Sequence, residues 1–308
     1  MSWFLSKRPA ADAQRGNAPG AGPPGLIHGR YRLGPLLGEG GGSQVHEAVD
    51  LRTGATLALK LIHLPSDLPD GLRREWTARL QREAELSHRL AHPDIVAVHE
   101  AGLQGRLAWL AMEQVRGVDL SRYTEPQRRL PDDLVLRIGA RVAAALAHAH
   151  AHGVVHRDLK PGNVIVNLAA GQVKLADFGV ARDTDASHTR TGLSLGTPAY
   201  MAPEQLAGEP ASPSSDTYAL GVMLFELLTS RRPHQADTLG ELLRATASQA
   251  PAALKSLRPD LPAPAAAAVE ALLARRPADR PADLERWASQ VAALAALMAR
   301  LLAPGAST

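Results

Sequence analysis

His156-Arg157-Asp158-Leu159-Lys160-Pro161-Gly162-Asn163 packs five unlike polar side chains into eight positions. Neither a helical period nor a solvated run of one charge explains that mixture, and Pro161-Gly162 bends the backbone inside it. An Ala/Leu-rich helical pattern, Leu134 to His152, precedes the stretch, and the apolar Val164-Ile165-Val166 follows it. The pattern predicts a loop between a buried helix and a short buried strand, where scaffolds commonly carry reactive groups.

Working outward, Lys174-Leu175-Ala176-Asp177-Phe178-Gly179 sets a carboxylate at the end of an apolar strand. With Asn163, fourteen positions earlier, it offers hard oxygen donors and no sulfur or imidazole, a set suited to Mg2+ (or Mn2+) bridging phosphates. Upstream, Leu37-Gly38-Glu39-Gly40-Gly41-Gly42-Ser43-Gln44-Val45 joins two strand patterns. Four glycines in five positions let backbone N–H groups approach phosphate oxygens. Taken alone the loop is equally a flexible hairpin, and Lys60, ending Leu57-Ala58-Leu59, is equally a snorkelling edge residue. Together they place an ammonium near the same phosphates. Glu83, nine residues before His92-Pro93 in a helical pattern from Gly71 to Leu90, is either one more exposed charge or a partner for Lys60.

These landmarks, in this order, resemble the eukaryotic-like (Hanks-type) serine/threonine protein kinases, particularly their bacterial branch, over roughly residues 28–290. The resemblance implies an α+β, bilobal protein-kinase fold: a small antiparallel-sheet N-lobe with one helix and a larger, mainly helical C-lobe. It also implies transfer of the γ-phosphate of Mg-ATP to Ser/Thr hydroxyls of proteins, including autophosphorylation. By the same resemblance Asp158 addresses the acceptor hydroxyl and Lys160 the moving phosphoryl group. Lys60 holds the α- and β-phosphates and Glu83 holds Lys60, while Asn163 and Asp177 bind the metal. ATP is further expected against Leu37, Gly38, Gly40, Ser43, Val45, Ala58, Met112 and Ile165, with the Glu113–Val115 backbone on the adenine edge. Thr189 or Thr191 is the expected activation-loop phosphosite, gripped by Arg157 and Arg182. Structural roles are implied for Thr197, for Glu204 paired with Arg280, and for Asp216 steadying the catalytic loop. His156 is expected to pack beneath Phe178.

One departure from the family is Ser43, which stands where the loop often has its third glycine; altered nucleotide affinity is the expected result. Two other functions share parts of this pattern. A small-molecule phosphotransferase would share Asp158, Asn163 and Asp177 but lack Lys160 and the Gly196–Glu204 segment. An ATP-binding pseudokinase or scaffold would not need the full charge set.

Composition bounds the rest. Lys plus Arg exceeds Asp plus Glu by 34 − 31 = 3, and Lys7, Arg8, Arg15 and Arg30 against Asp12 already account for that excess. The pI of about 9.4 thus reflects the excess held in residues 1–30, and no nucleic-acid partner is expected. Cysteine is absent, which excludes disulfides and fits a cytoplasmic location. No apolar run is long enough for membrane insertion. Residues 1–27 read as a disordered basic leader. Residues 28–290 read as the kinase domain, N-lobe 28–116 and C-lobe 117–290, and residues 291–308 as a C-terminal helix extension and tail. The stripe Leu284, Trp287, Val291, Leu294, Met298, Leu301 either packs on its own lobe or offers a seam for a weak homodimer.

Overall fold

The computed structural model describes residues 26–40, 42–64, 71, 90–178 and 198–302. Most of the leader, nearly all of the helix expected over Gly71 to Leu90, and residues 179–197 lie outside the described residues. The chain divides into two compact units, Met1–Ala91 with Val96–Val118, and His92–Ile95 with Asp119–Thr308.

The first unit is an antiparallel sheet of six strands: β1 (Leu26–Ile27), β2 (Tyr31–Gly40), β3 (Ser43–Asp50), β4 (Thr56–His63), β5 (Val98–Gln104) and β6 (Leu107–Met112), in the order β1-β2-β3-β4-β6-β5. Its alternation is clearest in β4. Leu57, Leu59 and Leu61 join Tyr31, Ala48, Trp109 and Ala111 in the core, each fully buried leucine contributing about 1.5–3 kcal/mol. Residues opposite one another across antiparallel strands share a face. The register Val45↔Lys60 and Ala58↔Met112 therefore sets Val45, Ala58, Lys60 and Met112 together on the other face. β2 and β5 stand far apart in strand order, yet the sheet curls until they meet. Arg30 binds Asp50 at 2.7 Å and Glu100 at 2.5 Å, and Tyr31 Oη donates to Glu100 at 3.0 Å.

The sequence pattern around Ile95 to His99 reads as a strand, but β5 begins at Val98. Asp94 and Ile95 are committed elsewhere: the Asp94 carbonyl accepts from Leu175 N–H at 2.8 Å, and Ile95 bridges Leu175.

The second unit is mainly helical: α1 (Asp132–Ala151), α2 (Pro203–Leu206), α3 (Pro213–Thr229), α4 (Leu239–Ser248), α5 (Leu254–Leu257), α6 (Ala263–Leu272) and α7 (Leu284–Leu302), with a hairpin of β7 (Val164–Asn167) and β8 (Gln172–Leu175). α3 is buried on every side from Ser215 to Leu228. α1 approaches it so closely that a Cβ on Gly139 would stand 2.7 Å from Leu224. In the α7 stripe Leu284, Trp287, Val291 and Met298 are buried within the unit, and Trp287 Nε1 donates to the Ala268 carbonyl at 3.0 Å. Leu297 and Leu301 stay exposed. No helix among the described residues is long and apolar enough to cross a membrane.

Candidate active site

In the second unit, α1 ends just before the His156–Asn163 loop, and β7 carries the chain away. Lys160 Nζ donates to Asp158 Oδ2 at 2.8 Å. Asn163 Nδ2 donates to the Asp158 carbonyl at 2.8 Å and to Asp158 Oδ2 at 3.3 Å. Pro161–Asn163 form one 3-10 turn, which lets Asn163 reach back over these five positions. With Nδ2 committed to Asp158, the Asn163 amide turns its oxygen the other way.

Asp216, buried at 1% exposure near the start of α3, holds the loop from beneath. Its carboxylate accepts the His156 N–H at 2.8 Å and the Arg157 N–H at 2.9 Å. His156 Nε2 pairs with the Ala176 carbonyl at 2.9 Å, so that nitrogen carries the proton and Nδ1 accepts the Asp158 N–H at 3.3 Å. The His156 ring lies against Phe178, centroids 4.7 Å apart. Ala176 N–H donates to the Asn163 carbonyl at 2.9 Å, which brings the β8 end and Asp177 beside Asn163. Arg157 and Asp177 both adopt left-handed backbone, φ 67 and 59. Such non-glycine conformations cost free energy and persist where surrounding bonds over-determine them, as the Asp216 and Asn163 contacts do here.

Asn163 and Asp177 together fit a hard divalent cation, since they offer an amide oxygen and a carboxylate with no soft ligand. Among the described residues there is no group of three or more His, Cys, Asp or Glu placed to form a metal cage.

Downstream, Glu204 and Arg280, 76 positions apart, form a buried bidentate pair at 2.7 and 2.8 Å. Ser215 Oγ adds a bond to Glu204 at 3.0 Å. Burial alone would raise the Glu204 carboxyl, but the hydrogen bonds from Arg280, a backbone N–H and Ser215 outweigh it and hold the group below its ordinary value. Tyr200 Oη donates to Glu226 Oε2 at 2.5 Å, and Arg232 Nε donates to the other oxygen at 3.2 Å.

In the first unit, Lys60 is half-buried on the sheet face that also holds Val45, Ala58 and Met112. Leu37 and Gly38 are half-buried in β2, where the register shifts between Leu36 and Gly38. Gly40 pairs with Ser43, whose hydroxyl donates to the Gly40 carbonyl at 3.0 Å. Glu113 N–H donates to the Ala97 carbonyl at 2.8 Å, and Val115 is buried. Ile165 is buried in β7 of the second unit. Glu83, Arg182, Thr189, Thr191 and Thr197 lie outside the described residues.

Sequence reasoning missed His150. Its Nε2 lies 2.7 Å from Asp216 Oδ2. The signal available was His148-Ala149-His150-Ala151-His152, three histidines alternating at the end of a helix. At 3.6 residues per turn His148 and His152 share a face while His150 points elsewhere.

Residues 31–293 match the protein kinase domain family. The chain is 39% identical over 276 residues to serine/threonine-protein kinase PknA of Mycobacterium tuberculosis, covering 88% of this chain and 62% of that protein. It is 36% identical over 280 residues to serine/threonine-protein kinase pkn3 of Myxococcus xanthus, covering 86% of this chain and 50% of that one. The chain thus spans less than two thirds of these curated relatives. Among solved structures, the PknI kinase domain of Mycobacterium tuberculosis matches with a TM-score of 0.69 at 30% identity, covering 90% of this chain and 100% of that domain.

Proposed function

Because the chain belongs to the protein kinase domain family, we propose that it is an active serine/threonine protein kinase, with the His156–Asn163 loop as its catalytic loop. The observation that carries this reading is the bonded set Asp158–Lys160–Asn163 fixed to Asp216 through two backbone N–H groups. Phosphoryl transfer has a loose transition state, so the protein's task is to position groups and balance charge. Bound Mg-ATP supplies the phosphoryl group and neutralises part of its charge.

In this proposal Asp158 orients the acceptor hydroxyl and takes its proton, while Lys160, already beside that carboxylate, faces the transferring oxygens. Asn163 and Asp177 hold the metal. Lys60, paired with Glu83, holds the α- and β-phosphates. Leu37, Gly38, Gly40, Val45, Ala58, Met112 and Ile165 contact the nucleotide. The Glu113 N–H is given to Ala97, so the Glu113 carbonyl and the Val115 N–H serve the adenine edge. Thr189 or Thr191, with Arg157 and Arg182, forms the regulatory set, and Thr197 braces the loop.

The presence of Lys160 beside Asp158 favours protein acceptors over small molecules. The test is labelled ATP with magnesium and the full chain, beside Asp158→Asn. Transfer lost on the order of 10²–10⁴-fold in the variant supports the reading. Nucleotide binding without any transfer by the unaltered chain would instead mark a scaffold.

A further inference from the structure

The glycine-rich turn contains a contact that its sequence does not announce. Gly40 and Ser43 are cross-strand partners, with Gly41 and Gly42 between them, and Gly42 sits at φ +80. The pleat sets Ser43 on the same face as Val45 and Lys60, the face proposed for phosphates. Yet Ser43 is buried at 8% exposure, and its hydroxyl turns back to the Gly40 carbonyl at 3.0 Å. A serine hydroxyl has one proton to donate. While it closes this bond it has none for a phosphate oxygen.

We infer that Ser43 is a positioning residue: its hydroxyl latches the glycine-rich turn shut from within, through Gly40, and does not itself bind the nucleotide. Glycines lose more backbone freedom on ordering than any other residue, and two of them, Gly41 and Gly42, separate Gly40 from Ser43 in sequence. Holding Gly40 and Ser43 together before ligand arrives removes part of that loss from the binding step, so the turn's N–H groups meet phosphate pre-organised. Where a glycine would leave the turn slack, this chain substitutes an internal bond. The positioning role rests on reading residues 37–45 as the nucleotide loop; the latch itself does not.

The test uses the full chain and the variants Ser43→Ala, Ser43→Gly and Ser43→Thr. Hydrogen exchange without nucleotide should show faster exchange across Gly40 to Gln44 in the alanine and glycine variants, and protection retained in the threonine variant, which keeps the hydroxyl and suits a strand. Affinities for ADP and for a non-hydrolysable ATP analogue should both fall by the same factor, roughly 3- to 10-fold, as expected for one neutral hydrogen bond. In turnover the loss should fall on KM for ATP more than on kcat. Unchanged exchange in Ser43→Ala overturns the latch. Affinity lost for the ATP analogue alone, with ADP unaffected, overturns it too, because the hydroxyl would then serve the γ-phosphate. If the unaltered chain binds neither nucleotide, the loop's assignment and the positioning role fail together, while the exchange result still decides the latch.

Discussion

His150 Nε2 lies 2.7 Å from Asp216 Oδ2, the same oxygen that accepts the His156 N–H at 2.8 Å. One buried carboxylate thereby joins the end of α1 to the backbone on which Asp158 is carried. His150→Leu removes a hydrogen bond to a charged acceptor and is expected to cost about 1.5–3 kcal/mol in urea denaturation. Because the loop would shift beneath Asp158, kcat should fall on the order of 10- to 100-fold with little change in KM for ATP. His150→Gln, which keeps a donor, should recover most of both. Equal losses in the two variants would show that ring packing matters and the bond does not.

Arg280→Met should be far more damaging than its size suggests. It leaves Glu204 buried without the fork that holds it, an expected loss of about 3–5 kcal/mol. Adding Glu204→Gln should return part of it, measurable as a coupling energy in a double-mutant cycle. The pair also carries a pH signature. Since Glu204 is held below its ordinary value, its contribution is complete above about pH 4.5 and is lost as pH falls through the lowered folded value.

Near neutral pH a different group governs. His92, His148 and His152 stack in series, centroids 5.2 and 4.4 Å apart, and His148 Nε2 is buried without a hydrogen-bond partner among the described residues. Burial lowers His92, against the pull of Asp94 and with help from Lys174 and Arg141. Burial likewise lowers His148, aided by His152 and His92. The unfolded chain therefore takes up protons first, so the stack's contribution is complete above about pH 6.5 and declines as pH falls below it. Melting temperature followed from pH 7.5 to 5.5 should drop less in His148→Phe than in the unaltered chain. Parallel curves would exclude the stack as the sensor.

Tyr200→Phe should leave Glu226 with Arg232 as its side-chain partner among the described residues. One hydrogen bond to a charged acceptor is lost, about 1.5–3 kcal/mol by chemical denaturation, and the Arg232 guanidinium keeps its place 5.4 Å from the ring centroid. A Tyr200→Phe protein as stable as the unaltered chain would mean water replaces the phenol at Glu226.

Much of the local chemistry was legible because it is local. Leu57-Ala58-Leu59-Lys60 reads as an apolar strand ending in a lysine, and the His156–Asn163 loop names its own members. Glu204 and Arg280 were legible only through resemblance, since nothing near either residue points across 76 positions. α4 went unread although Thr238 and Glu241 form a capping box at its start, because its ten residues bury little besides Leu242, Ala245 and Thr246. β5 was misplaced by three residues because Asp94 and Ile95 are bound to Leu175, a long-range claim that outweighs their strand-like neighbours. His150 was missed because its partner, Asp216, is 66 positions away and helical periodicity says nothing about what a polar side chain meets.

The placement of His92–Ile95 with the second unit bears on how the protein can be cut. The sheet unit is interrupted in sequence, and its β5 and β6 strands come only after the chain has contributed those four residues elsewhere. Arg141 in α1 grips the Asp94 carboxylate from Nε at 2.9 Å and through Nη2, and Lys174 Nζ donates to the Ile95 carbonyl at 3.2 Å. A fragment stopping at Ala91 would lack two strands of six. One stopping at Val118 would carry Asp94 without Arg141, and one starting at Asp119 would carry Arg141 without Asp94. The two units are thus poor modules for exchange between proteins: a chimera needs either both sides of the Asp94–Arg141 bond from one parent or a matched pair from the other.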